Sequence, residues 1–213
     1  MKMVVGGVRG SYPTPEADRL RYGGETTAIA IIGRSGERLL LDAGTGLRRL
    51  RPYLGGPSDP LTVLFTHYHL DHVAALPMLP ALFEAGRSVT FAAPRLSGRE
   101  VDHVIRTLVG PPYWPISIER VPARLTYSTL VEAPLRLGSL EVRWCPVEHE
   151  GGCVAYRVDE QGSGAIVFAT DVEWAAAGED LRREFLRFCR APTPATLLCF
   201  DGTYTPAEYP AHR

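Results

Sequence analysis

The stretch that most constrains this chain is Phe65-Thr66-His67-Tyr68-His69-Leu70-Asp71-His72, where three imidazoles and a carboxylate fall within six positions. The apolar run Leu61-Thr62-Val63-Leu64-Phe65-Thr66 has the length and composition of a buried strand, so the first histidine stands where that strand stops. His67 and His69 are two apart; in extended chain their side chains leave on one side and can share an ion. Asp71 and His72 fall where the apolar segment Val73-Ala74-Ala75-Leu76 begins, so they point elsewhere and can hold a second ion. Imidazole nitrogen and carboxylate oxygen, with no cysteine in the cluster, suit zinc first, with manganese or iron as substitutes.

The rest of the composition sets limits. A chain of 213 residues, 45% hydrophobic and 22% charged, is expected to form one globular domain over 1–213. With 23 Lys and Arg against 24 Asp and Glu, the net charge of −1 gives no general attraction to nucleic acid or membrane surfaces. No apolar run approaches the ~20 residues that cross a bilayer, and Met1-Lys2-Met3-Val4-Val5-Gly6-Gly7 lacks the form of a signal peptide. A soluble, cytoplasmic protein is expected. Cys145, Cys153, Cys189 and Cys199 show no C-x-x-C spacing and read as reduced core residues, with a Cys145–Cys153 pair as the less favoured alternative.

Before the metal motif, Met3-Val4-Val5 reads as a strand and the glycine- and proline-broken run from Gly6 to Pro13 as a loop. Such a loop either presents backbone N–H groups and Arg9 to an anion or is a plain turn. Ala28–Ile32 and Arg38–Leu41 form a hairpin across Gly33-Arg34-Ser35-Gly36. Asp42 follows, and either accepts the outer N–H of a metal-bound histidine or caps the helix that starts near Gly46. Helices are expected from Leu47 to Tyr53 and from Gly98 to Val109. The second contains Asp102 and His103, whose adjacency on a helix points them apart and makes His103 a surface histidine. Pro111-Pro112-Tyr113-Trp114-Pro115 is a loop, either overhanging a pocket or simply packed.

The motif His67-x-His69-x-Asp71-His72 resembles the signature of the metallo-β-lactamase-fold hydrolases. Gly7-Val8-Arg9-Gly10-Ser11, Tyr22-Gly23-Gly24-Glu25-Thr26-Thr27, Leu41-Asp42-Ala43-Gly44-Thr45-Gly46, Ala169-Thr170-Asp171 and Asp201-Gly202-Thr203-Tyr204-Thr205 are similar, in order, to the branch of cyclic-phosphate phosphodiesterases and transfer-RNA 3′-end nucleases. The resemblance implies an α/β (α+β) fold, a four-layer αββα sandwich with a metal site at its edge. It implies His67, His69 and His149 on one divalent ion, Asp71 and His72 on another, and Asp171 as the bridge. His149 leaves the alternating strand Leu140–Cys145 much as His67 leaves its own, and Asp171 ends the apolar run Ala165–Thr170.

The resemblance further implies a binuclear, zinc-dependent phosphodiesterase. Its ions would hold the attacking hydroxide, with Asp71 and Asp171 as catalytic carboxylates. Substrates of that branch type are a cyclic nucleotide, a sugar cyclic phosphate or an RNA-type phosphodiester. Arg9, Ser11 and Tyr204 are substrate contacts by the same resemblance, Asp42 and Asp201 stand behind the ligands, and a homodimer is compatible with it. One departure stands out. The branch carries another histidine, in a Gly-His-Ser context after its Asp-x-x-Tyr segment, whereas this chain ends at Ala211-His212-Arg213. The expectation is a domain that lacks this motif and the C-terminal helix, and an incomplete second metal site unless His212 folds back to serve it. Thioester or lactam hydrolysis on the same fold, or a metal-binding sensor or interaction module without catalysis, are the alternative functions.

Overall fold

The protein is described from a computed structural model covering residues 1–19, 21–205, 207 and 208. Apolar, β-branched runs separated by Gly, Pro and Asp build two sheets. The first holds β1 (Lys2–Gly7), β2 (Ala28–Ile32), β3 (Arg38–Leu41), β4 (Leu61–Leu64), β5 (Ser88–Ala93) and β6 (Arg124–Thr129), side by side in chain order. The second holds β7 (Leu135–Leu137), β8 (Leu140–Val147), β9 (Cys153–Glu160), β10 (Gly164–Ala169) and β11 (Leu197–Phe200), again in chain order.

Four α-helices accompany them: α1 (Leu47–Leu50), α2 (Leu70–Val73), α3 (Val101–Leu108) and α4 (Glu179–Arg190). Against the first sheet, α1 packs on β1 and β2 and α3 on β5 and β6, while α4 covers β8 of the second. The layer order is the αββα sandwich the resemblance implies. Strands β2 to β4 are buried on both faces, which explains why they read as continuous apolar runs instead of alternating ones.

The helices are shorter than the sequence suggests. At Pro52 the helix from Leu47 gives way to a 3-10 turn over Arg51–Tyr53, and around Pro77 and Pro80 only 3-10 turns form. Helix α3 begins at Val101 rather than Gly98 because Ser97 and Gly98 have positive φ and turn the chain first.

Parallel pairing of β3 with β4 brings Leu41 opposite Leu64, so the chain leaves both strands at one edge. There Asp42 donates its N–H to the Leu64 carbonyl. The loop after Asp42 must pass close to the metal motif, and glycine makes that approach: a Cβ on Gly44 would lie 2.1 Å from the Asp71 carbonyl oxygen. The second sheet adds its own ends at the same edge. The Tyr156 hydroxyl of β9 donates to the Phe65 carbonyl, and Val154 donates its N–H to the Thr66 carbonyl, tying the sheets together beside the site. Arg157, fully buried, pairs with Asp159 and donates to the carbonyls of Phe188, Cys189 and Thr193, which anchors the chain between α4 and β11.

All four cysteines are free, so the Cys145–Cys153 pair does not form. Among the described residues, no helix is long and apolar enough to cross a membrane. His212 lies outside the described residues.

Candidate metal centre

Five strand ends supply the site. His67 leaves β4, His149 leaves β8, Asp171 leaves β10, Asp42 leaves β3 and Asp201 leaves β11. Extended backbone at His69 keeps it on the same side as His67, and α2 then turns Asp71 and His72 inward. Two overlapping groups result: His67, His69, His149 and Asp171, and Asp71, His72 and Asp171, the ligand atoms of each lying within 4.8 Å of one another. His67, His69, Asp71, His72, His149 and Asp171 each fall in one of the two groups, whereas His212 lies outside the described residues.

Asp171 Oδ2 is the atom they share. It lies 3.2 Å from His67 Nε2, 3.0 Å from His72 Nε2 and 3.9 Å from His149 Nε2. His67 Nε2 and His72 Nε2 are both buried and make no hydrogen bond of good geometry, so two imidazole nitrogens are aimed at one carboxylate oxygen without being satisfied by it. His69 Nδ1 and His149 Nε2 meet at 3.0 Å, another nitrogen pair that only a proton or a cation between them makes favourable. Unsatisfied, converging nitrogen and oxygen donors fit a divalent cation.

What stands behind these groups sets their orientation. The Asp42 carboxylate, wholly buried, accepts the Thr66 N–H, the Thr66 hydroxyl and His72 Nδ1–H, each at 2.8 Å. With its proton given to Asp42, Thr66 Oγ1 accepts from His67 Nδ1 at 3.1 Å. One aspartate thereby fixes both imidazoles with their Nε2 atoms facing inward. The helix-cap alternative for Asp42 is not realised, since Gly46 caps α1 without a side-chain bond. Opposite, His149 Nδ1 donates to Glu173 Oε1 at 3.2 Å. Neither Thr66 nor Glu173 is identifiable from spacing. A hydroxyl next to His67 in an otherwise apolar strand is the one local sign for Thr66, and Glu173 has none.

Charge follows geometry. Burial pushes the Asp171 carboxyl up, yet the close approach of the His67 and His72 imidazoles and their charge hold it well below the usual carboxylate range. Asp71 is lowered in the same way: its burial is outweighed by His72 and by the Ser11 N–H, which donates to Oδ2 at 2.8 Å. Burial alone would lower His72, but Asp42, Asp171 and Asp71 raise it to about 12. His69 is shifted down, by burial and then by His67 and His149.

The other residues read from sequence lie around this centre. Ser11 and Tyr204 line a cavity of about 680 Å³ with His69, Asp71, His149 and Asp171. Arg9 lines an adjoining one of about 510 Å³ that shares Ser11, Asp171 and Tyr204. Asp201 touches no histidine; it accepts the N–H groups of Val172 and Thr203 and so holds the turn that follows Asp171. His103 is exposed, as expected, and lines a third cavity with His67 and His69. The non-glycine residues with positive φ among those described are Ser11, Asp42, Ser97 and Asp171, and all border the centre.

A two-sheet αββα sandwich with a histidine–aspartate cluster at its strand ends defines a protein of the metallo-β-lactamase fold. The chain belongs to the beta-lactamase superfamily domain family, whose profile matches residues 37–212. Its relatives include the "Ribonuclease Z" of Clostridium kluyveri, 30% identical over 159 residues, a match covering 73% of this chain and 48% of that protein. The chain thus spans about half the length of the curated relatives it matches. Similar solved structures include the metallo-beta-lactamase fold protein YhfI from Bacillus subtilis (TM-score 0.63, 18% identity, 92% of this chain and 69% of that one). The short form of human tRNase Z is another (TM-score 0.64, 17% identity, 99% and 82%).

Proposed function

We propose that this chain is a metal-dependent phosphodiesterase that holds two zinc ions, one on His67, His69 and His149, the other on Asp71 and His72, with Asp171 between them. The observation that carries the reading is Asp171 Oδ2, placed within 4 Å of three imidazole nitrogens that belong to two different ligand groups. Relatives named for ribonuclease activity support a phosphodiester as the bond that is cut. Zinc is the first choice because the donors are imidazole and carboxylate without sulfur.

When bound, the ions would supply an activated water and offset charge on the phosphate oxygens. The chain's own residues do the rest. Asp71, fixed by the Ser11 N–H, orients the attacking water, and Asp171 keeps its negative charge between the ligand groups. Arg9 and Tyr204, on the walls of the two adjoining cavities, contact the substrate. A cysteine nucleophile has no support, because burial pushes the Cys153 thiol well up and Cys145 to about 12. The second ligand group offers three protein donors against four in the first, so its ion is the more weakly held.

Elemental analysis of the purified chain together with hydrolysis of bis(p-nitrophenyl) phosphate tests this. About two ions per chain, with turnover lost in His69→Ala, is the expected result. Thioester or lactam turnover without phosphodiester turnover would transfer the site to that chemistry, and tight metal binding without turnover on any of the three would make it a sensor. The homodimer is part of the same proposal, and sedimentation equilibrium at micromolar concentration decides it.

A further inference from the structure

The cleft continues past the metal ligands in two directions with opposite character. On one flank the cavity of about 680 Å³ is lined, beyond the ligand carboxylates Asp71 and Asp171, by Glu150, Glu173 and Asp201. On the other, the cavity of about 330 Å³ shares His69 and is walled by Tyr68, Ser97, Arg99, His103, Thr107 and Gly151, with no carboxylate among its described lining residues. An anionic extension of a substrate held at the centre is repelled by the first flank and accepted by the second.

The second lobe is built for such a group. Arg99 Nη1 donates to His103 Nε2 at 2.9 Å, a contact that orients the guanidinium without neutralising it. Among the described residues Arg99 has no ion pair. The acidic neighbours are occupied elsewhere: Glu100 binds Arg95 and Thr129, and Asp102 lies 4.0 Å from Arg106. The Ser97 hydroxyl donates to the Gly151 carbonyl, which couples the turn carrying Arg99 to the turn that follows His149. Tyr68, on the same wall, has a buried hydroxyl with no hydrogen-bond partner among the described residues. Arg99, exposed and oriented by His103, gives this lobe a guanidinium with no carboxylate on it, which fits a charged acceptor held beside His69.

We infer that this lobe is the subsite for a second phosphate of the substrate, next to the scissile phosphodiester, with Arg99 as its main donor. The inference rests on the phosphodiesterase reading of the metal centre and narrows it, since a substrate with two phosphates fills both parts of the cleft and a small cyclic phosphate does not.

The test is equilibrium binding of a dinucleotide with an uncharged methylphosphonate linkage, which is not cleaved, to the zinc-loaded protein. It is run with no terminal phosphate, with a 5′-phosphate and with a 3′-phosphate. One phosphorylated form should bind about tenfold tighter than the unphosphorylated one, Arg99→Ala should remove that preference, and Arg99→Glu should reverse it. A wild-type protein indifferent to phosphate at either end, or a preference that survives in both variants, overturns the subsite. If either variant melts earlier than wild type, His103→Gln, which alters the partner of Arg99 but keeps its charge, should lower the preference by a smaller factor. Hydrolysis of the ordinary dinucleotide is read separately: phosphate preference without cleavage refutes the catalytic reading alone, and cleavage without preference refutes the subsite alone.

Discussion

The two walls of the metal centre use the same kind of donor and support it in opposite ways. On one wall His67 and His72 are 1% and 0% exposed, and both are held through Nδ1 by a buried Asp42–Thr66 pair. On the other, His69 is exposed, His149 has a side chain 17% exposed, and among the described residues its only support from a carboxylate outside the ligand groups is Glu173, itself 47% exposed. The buried wall is set before any ion arrives. The exposed wall has solvent as an alternative partner, and its two rings meet edge to face, with His69 Nδ1 3.0 Å from His149 Nε2. A wall held by buried hydrogen bonds thus faces one whose donors are open to solvent.

The comparison breaks most severely at Asp42. Asp42→Ala removes the acceptor of three buried hydrogen bonds and takes the 2.8 Å partner from His72 Nδ1, which should cost about 3–5 kcal/mol of stability and lower the metal content. Urea denaturation and metal content check both. Equal stability would mean that the buried wall is not the scaffold of the site.

Proton release comes next in size. His72, raised to about 12, is protonated at neutral pH without metal, so an ion on the second group must displace that proton. Affinity there should rise roughly tenfold per pH unit, or about a hundredfold from pH 6.5 to 8.5. His69 is shifted below its ordinary value, mainly by burial, and so contributes less of such a slope to the first group. Calorimetric metal titrations in buffers of different ionisation enthalpy separate the two; equal slopes would erase the distinction between the walls.

On the exposed wall, Glu173→Ala should weaken metal binding by about tenfold, the usual size for loss of one supporting acceptor, with little change in melting temperature. A competition titration against a chromophoric chelator measures it. The smallest effect belongs to Thr66→Val, which keeps the shape and removes one buried hydroxyl. A loss of about 1 kcal/mol is expected, with a tilt of His67 visible as a changed imidazole NMR shift in the zinc-loaded protein.

How far the sequence reveals this arrangement depends on whether local pattern or tertiary packing decides. Strands β2, β3 and β4 are legible because they are buried on both faces and bounded by Gly, Pro or Asp. The ligands are legible because they sit where such runs end. Helix α4, the longest, is not singled out by pattern: of its twelve residues only Phe185 is buried, so the charged residues dominate the apolar stripe. The three-residue β7 and half-buried β6 carry equally weak signals. Glu173 reaches His149 only because β8 and β10 end together. His103 is exposed, as the helix argument predicts, and its place on a cavity wall is a matter of tertiary packing.

Positive φ at Ser11, Asp42, Ser97 and Asp171 has a consequence for anyone who redesigns this scaffold. In each place glycine would relax the backbone, since it alone adopts that region without a Cβ penalty. A redesign guided by backbone comfort would therefore be drawn to 42 and 171 and would delete the carboxylates that orient and link the metal ligands. At 171 the relaxed turn would cost the carboxylate that stands between the two ligand groups, and at 42 it would also strip three buried donors of their acceptor, so backbone comfort is a misleading guide at both positions. Asparagine at the same two positions, which tolerates the turn and keeps the side-chain shape, separates the effect of the bend from that of the charge.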